Sequence, residues 1–238
     1  MKIDKNIITL LTECQTEGNT LRITQQLDRK TYAQLNKVLT AIGGKWNSAK
    51  KVHIFPEEVE DIIEQIINTG EYTSEKQAFQ FFPTPTDLAE KIVALANIQP
   101  SDSCLEPSAG TGNIARLMPH CDCIELNEKN RQALQAQGLH LIHNDFMTFE
   151  PQKDYDVIVM NPPFNKGQDI AHITKAIQIA KRCVIAIASA SILFKNDNKT
   201  KAFRELVAQY NGSIEELPAS SFKESGTKVN TVLIKINK

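Results

Sequence analysis

Apolar positions along the chain follow two textures, and the change between them falls near residues 70–85. Ahead of it the pattern reads strand, helix, strand, helix. The first strand candidate is 20–24, and Tyr32, Leu35, Val38, Leu39 and Ile42 recur at helical spacing behind Asp28, a residue suited to an N-cap. Gly43-Gly44 ends that helix, 45–55 reads as a hairpin-like stretch, and Pro56 opens a second helix with Val59, Ile62, Ile63, Ile66 and Ile67 on one face. From residue 80 onward strands and helices alternate. Thr84-Pro85-Thr86-Asp87 carries the cap, the proline and the acid of a helix start. Strand candidates follow at 103–106, 121–126, 139–143, 157–160 and 183–188, most of them separated by helical stretches at 112–118, 128–137 and 169–181. Two more strands, 213–217 and 231–236, close the chain with no helix between them, which lets the last run antiparallel. The pattern predicts a doubly wound α/β sheet of seven strands with an antiparallel edge over residues 76–238, preceded by a small α+β domain over 1–75.

Composition narrows the function classes. In 238 residues, 27 Lys+Arg against 28 Asp+Glu leave a net charge of −1, so the chain is no wholesale polyanion binder; local patches stay open. Between residues 29 and 51 lie Arg29, Lys30, Lys37, Lys45, Lys50 and Lys51 without an acid, whereas Glu57, Glu58, Glu60, Asp61 and Glu64 follow on the next helix. The first stretch can touch phosphates or be a solvated face; the second cannot touch them and is expected to face away from any nucleic acid. Trp46 reads as a core plug for the small domain rather than a base-stacking platform, and His53 and His172 read as structural or exposed. Five cysteines in an odd, unpatterned set point to reduced thiols and a cytoplasmic protein. No leader or membrane span is expected, and no metal site.

The turn at 104–113, Cys-Leu-Glu-Pro-Ser-Ala-Gly-Thr-Gly-Asn, joins a strand end to a helix start, with Gly110 and Gly112 allowing a sharp turn and close approach of a ligand. Any Rossmann-like nucleotide site has such a turn. Glu125 lies 19 positions after Glu106, at the end of the second strand, where a carboxylate accepts from ribose hydroxyls; Asp145-Phe146 follows the third strand, placed to hold an adenine. The glycines do not form G-x-G-x-x-G, and Glu106 would meet a dinucleotide pyrophosphate with the wrong charge. It suits a cationic ligand such as S-adenosylmethionine, with its sulfonium and ammonium. The alternative is that Glu106 merely caps a helix.

After the fourth strand comes Asn161-Pro162-Pro163-Phe164. Two prolines fix the backbone so that a carbonyl and the Asn amide oxygen can converge on an NH₂ group. On FFPTPTDLAEKIV at 81–93, LEPSAGTGNIA at 105–115, IELN at 124–127, NDF at 144–146 and DVIVMNPPF at 156–164, the chain resembles the amino-type S-adenosylmethionine-dependent methyltransferases, specifically the DNA adenine N6-methyltransferases of the prophage or orphan type. The resemblance implies that Phe82, Pro83, Thr84, Glu106, Pro107, Ser108, Gly110 and Gly112 surround the methionine end of the cofactor. Glu125 and Leu126 would then hold the ribose, and Asp145 and Phe146 the adenine. Asn161 with the Pro162 carbonyl would accept the two hydrogens of the target amino group, with Pro163 fixing the turn and Phe164 stacking on a flipped base.

DNA is the partner so implied, with RNA as the alternative, since the same motif serves RNA adenine and guanine methyltransferases; Phe164 in place of Tyr leans away from glutamine methylation. A reading from another class is a non-catalytic nucleic-acid-binding or antirestriction module. Loops at 165–168, 194–201 and 222–228 are expected on the active face, carrying Lys166, Lys195, Lys199, Lys201, Lys223 and Lys228, and Lys45, Lys50 and Lys51 add a basic stretch from the small domain. No large target-recognition segment is expected beside the core.

Overall fold

The computed structural model describes residues 1–56, 58–72, 83–218, 221–222 and 230–238, with the side chain of Lys166 left aside. Phe82, Lys223 and Lys228 therefore lie outside the described residues, as does the expected boundary at 75.

The first 72 residues build a four-stranded antiparallel sheet with three helices. In chain order these are α1 (Lys5–Glu13), β1 (Gln15–Glu17), β2 (Thr20–Arg22), α2 (Arg29–Ala41), β3 (Lys45–Asn47), β4 (Val52–Ile54) and α3 (Glu60–Thr69), with sheet order β1-β2-β4-β3. The Asp28 carboxylate accepts from the Lys30 and Thr31 amides and so caps α2 as its position predicts. Ile7, Leu11, Leu21, Leu35, Leu39, Ile63 and Ile66 form one buried cluster beneath these elements. Helix α1 and strand β1 are additions to the pattern read from sequence: only Ile7 and Leu11 of α1 are buried, an apolar stripe two residues wide.

The rest of the described chain is an α/β sheet. Its strands are β5 (Cys104–Glu106), β6 (Cys121–Ile124), β7 (His140–His143), β8 (Tyr155–Met160), β9 (Ala180–Ser189), β10 (Ser213–Glu216) and β11 (Thr231–Asn237). They lie in the order β10-β11-β9-β8-β5-β6-β7, parallel from β9 to β7, while β11 runs antiparallel between β9 and β10. The antiparallel strand is thus inserted one position in from the edge. Helices α4 (Thr86–Leu95), α5 (Glu128–Ala136), α6 (Gln168–Ile179) and α7 (Asn198–Gln209) accompany the sheet. Alternation along β8 decides the layers: Val157 and Val159 join Leu88 and Ile92 of α4 in one buried cluster, and Ile158 and Met160 join Ile173 and Ile177 of α6 in another. A helix expected at 112–118 is only a single 3₁₀ turn, Ala115–Leu117, and α7 occupies residues expected to remain loop. Among the described residues, no helix is long and apolar enough to cross a membrane.

A polar seam joins the two sheets. Helix α3 packs on the turns Asn165–Gly167 and Ala190–Leu193, which follow β8 and β9, so the acidic helix faces the sheet unit rather than away from it. Ser189 Oγ donates to Asn68 Oδ1 at 2.6 Å, the Asn230 amide donates to the Asn68 carbonyl at 2.6 Å, and Ser191 Oγ lies 3.4 Å from Glu64 Oε1. Asp169, also buried, accepts from the amides of Ile170 at 2.8 Å and Ser189 at 3.0 Å. Lys195 places its ammonium 3.7 Å from Glu64 and 3.8 Å from Glu60. That pairing turns Lys195 toward α3 and away from the nucleic-acid contact expected of it.

Burial outweighs the Lys195 charge at Glu64 and pushes its carboxyl up from 4.5 to about 7; the nearby carboxyls of Asp169 and Glu60 act in the same direction. Asp169 is raised by its own burial, to about 6. A carboxyl raised by folding contributes stability that is complete below its unfolded value and lost as pH climbs through the folded one. Wild-type chain should therefore lose about 3 kcal/mol from Glu64 between pH 4.5 and 7. Thermal melts of Glu64→Gln should match wild type at pH 5 and exceed it by several degrees at pH 8; equal melting temperatures at pH 8 would show that the seam carries no such cost.

Candidate active site

Strands β5 and β8 are parallel neighbours, yet the chain proceeds from β5 toward β6 and from β8 toward β9, on opposite sides. At such a reversal the connections part and leave a crevice beyond the strands' carboxyl ends. The crevice is here, about 400 Å³, and its walls come from the segments that leave β5, β6, β7 and β8. It brings together Pro83, Thr84, Glu106, Pro107, Ser108, Gly110, Glu125, Leu126, Asp145, Phe146, Asn161, Pro162, Pro163 and Phe164. Residues 83 and 161 are far apart in the chain, and the sheet alone makes them neighbours.

Three carboxylates line the space, and among its described lining residues there is no Lys or Arg. Glu106 is buried at the end of β5, with Oε2 accepting from the Ala115 amide at 2.6 Å. The capping alternative is therefore real: one oxygen of Glu106 holds the 3₁₀ turn while the residue still borders the pocket. Burial, with the charge of Glu125 adding to it, raises its carboxyl well above the ordinary range. Glu125 is tied down as well, Oε2 accepting from the Gly110 amide and Oε1 from the Asn127 amide, both at 2.7 Å. These bonds hold the glycine turn against β6. Asp145 Oδ1 accepts from the Met147 amide at 2.8 Å.

The two glycines serve different ends. Gly110 has φ +53° and borders the pocket. Gly112, at φ +81°, does not border it; a Cβ there would come within 2.6 Å of the Leu139 side chain and 3.0 Å of Leu134. Its role is close packing of the turn on the strand β7 side, not approach to a ligand.

At the opposite wall, Asn161 Nδ2 donates to Thr84 Oγ1 at 3.1 Å, and Asn113 Nδ2 donates to the Thr84 carbonyl at 2.7 Å. The bond from Nδ2 fixes which way the Asn161 amide faces, with its oxygen on the side away from Thr84. Pattern reading singled out Thr84 as a helix cap and for the cofactor; α4 instead begins at Thr86 behind Pro85 with no side-chain cap bond, and the hold of Thr84 on Asn161 comes from the fold. Phe164 lines the pocket, yet only 5% of it is exposed, because it belongs to the buried cluster that holds Leu88 and Phe222. Its stacking face is mostly taken up by the core.

Asn113, Asn130 and Met147 are lining residues for which the sequence reading assigned no role, and His172, read as structural or exposed, also lines the pocket. The His172 ring packs 5.6 Å from that of Phe146, its Nδ1 lies 2.8 Å from the Gln168 carbonyl, and burial lowers its pKa, so the ring is a neutral wall. Nothing in the local pattern marks it, since α6 brings it to the pocket. Lys45, Lys50, Lys51, Lys199 and Lys201 are exposed, and Lys199 donates to the Gly167 carbonyl at 2.8 Å beside the Asn-Pro-Pro-Phe turn.

Residues 112–209 match the family model described as the methyltransferase small domain. The tRNA1(Val) (adenine(37)-N6)-methyltransferase of Aliivibrio salmonicida is 36% identical over 90 residues, covering 32% of this chain and 38% of that protein. The chain thus spans about two fifths of the length of the curated relatives it matches. A dimethyladenosine transferase from Plasmodium falciparum superposes with a TM-score of 0.51 at 22% identity, over 65% of this chain and 62% of its own. A Vibrio vulnificus chain, provisionally described as a type I restriction-enzyme modification subunit, gives 0.54 at 14% identity, over 90% of this chain and 50% of its own. Both structures show the shared fold.

The lining fits S-adenosylmethionine: three carboxylates, with no Lys or Arg among the described lining residues, favour a cationic ligand over a dinucleotide's phosphates. Burial raises the Glu106 carboxyl, so affinity for a cationic cofactor should rise with pH as that carboxyl ionises. Calorimetry should find that Glu106→Gln weakens binding at least about 10-fold and abolishes the pH dependence. An unchanged pH profile would exclude Glu106 from the cofactor's charge.

Proposed function

We propose that the chain is an S-adenosylmethionine-dependent methyltransferase acting on the exocyclic N6 amino group of an unpaired adenine in RNA. The observation that carries this reading is the Asn161 amide, oriented by Thr84 in the wall of an acidic pocket and followed by two prolines. DNA comes first on the sequence pattern alone. The match to a protein named for tRNA adenine N6-methylation supports RNA instead.

When bound, the cofactor supplies a methyl group already activated by its sulfonium. The chain's own residues do the rest. Asn161 Oδ1 and the Pro162 carbonyl accept the two hydrogens of the target amino group, which favours the form whose nitrogen lone pair is directed out of the ring conjugation. Asn161 and the Pro162 carbonyl hold the amino group while the cofactor gives up the methyl with the C–S pair left on its sulfur, and the amino nitrogen then releases one hydrogen as a proton to water. No strong base is required, because the proton becomes acidic once the methyl has arrived. Alignment and fixed dipoles lower the barrier. Thr84 acts as a positioning residue, keeping the acceptor side of Asn161 toward the substrate.

The acceptor is tested by tritiated methyl transfer to bulk tRNA, unmethylated DNA and a glutamine peptide, followed by nucleoside analysis. Label in N6-methyladenosine of tRNA is the expected result; label confined to DNA or peptide would overturn the substrate. Asn161→Ala should lower kcat by about 100-fold or more while leaving cofactor affinity within a factor of about three. Thr84→Val should lower kcat about 10-fold, the effect of one lost orienting hydrogen bond.

A further inference from the structure

The N-terminal unit carries a second recess, built from residues remote in sequence from the pocket. It measures about 440 Å³, within the range of ligand sites, and its walls include Arg22, Ile23, Tyr32, Trp46, Ser48 and Lys51. Trp46 is the chain's single tryptophan and is 48% exposed. The structure thus overturns the reading of it as a core plug.

Two features argue that the exposed indole serves a ligand. First, it is held in place. Trp46 sits opposite His53 in the β3-β4 register, their ring centroids 5.1 Å apart, and His53 is itself buried with Nε2 2.9 Å from Asn36 Oδ1. A rigid, half-exposed aromatic forfeits part of its burial energy, and it loses little entropy when a second ring stacks on it. Second, the lining charges are of one sign. Arg22 and Lys51 line the recess with no acid among the described lining residues, and Arg29, Lys30, Lys45 and Lys50 lie exposed in the acid-free stretch 29–51 that ends at Lys51. An aromatic platform among cations is the combination that binds single-stranded nucleic acid, where bases stack and phosphates pair.

We propose that this recess is a nucleobase-stacking site, in which Trp46 receives an unpaired base of the RNA substrate outside the target nucleotide and Arg22 and Lys51 contact the adjoining phosphates. The proposal rests on the RNA reading above for the identity of the polymer. Helix α3 fastens this unit to the turns that follow β8 and β9. A base held at Trp46 therefore stands at a set distance from the catalytic pocket.

Because Trp46 is the sole tryptophan, emission excited selectively at the red edge of indole absorption, where the four tyrosines do not absorb, reports on this recess alone. Titration of the full chain with an unstructured oligouridylate should quench it saturably, and the dissociation constant should rise steeply with salt. Arg22→Ala and Lys51→Ala should each weaken quenching several-fold and lessen the salt dependence by about one unit of slope. In methyl transfer to tRNA, Trp46→Ala should raise KM about 10-fold with cofactor affinity preserved, and Trp46→Phe should restore most of the loss. Absence of quenching, or an unchanged KM in a Trp46→Ala chain that melts like wild type, would overturn the site. Quenching by oligouridylate without methyl transfer to any RNA would overturn the substrate reading and leave the recess standing.

Discussion

The parting of two parallel neighbours, β5 and β8, is the constraint on which the rest of the structure depends. Their connections leave on opposite sides, so the carboxyl ends of the two strands open onto a crevice that no side chain of the sheet can close. The acidic residues of the pocket and Asn161 are gathered there by that single topological fact. Glu106 ends one of these strands and Asn161 follows the other, so a carboxylate and an amide more than fifty residues apart face the same space. The neighbouring strands β6 and β7 then deliver Glu125 and Asp145 along the wall.

The same constraint explains what local pattern could and could not show. Alternating strands and helices are a property of the buried faces, and Val157, Val159, Ile158 and Met160 announce β8 and its two layers directly. The motif residues at 104–113 and 161–164 are legible because turn chemistry is local. His172 is not legible, because a helical position reaches a pocket only through packing. Helix α7 escaped notice because its lysines and asparagine drew attention as loop chemistry, though Phe203 and Val207 are buried one turn apart. Trp46 misled for the opposite reason: a large aromatic in a small unit is usually interior, and only the position of β3 at the sheet edge exposes it. Gly112 looked like a ligand glycine and is a packing glycine, a distinction that no spacing rule contains.

Charge tells a parallel story. A net charge of −1 is the sum of three separate environments. The pocket is acidic, the recess on the N-terminal unit is basic among its described lining residues, and Glu60 and Glu64 of α3, which looked outward in sequence, lie against Lys195 in the seam. Only the last of these cancels locally, and it does so incompletely, since burial still raises Glu64 to about 7.

The seam has one more consequence. Each sheet keeps its own buried cluster, and the groups that cross between them are hydrogen-bonding ones: Asn68, Ser189, Ser191, Glu64 and the Asn230 amide. Along these contacts, parting the two units uncovers polar atoms that water can satisfy. Separation of the units is therefore opposed chiefly by a few directional bonds rather than by a shared apolar cluster, so the joint sets the relative orientation of the two sheets more than it adds to either core.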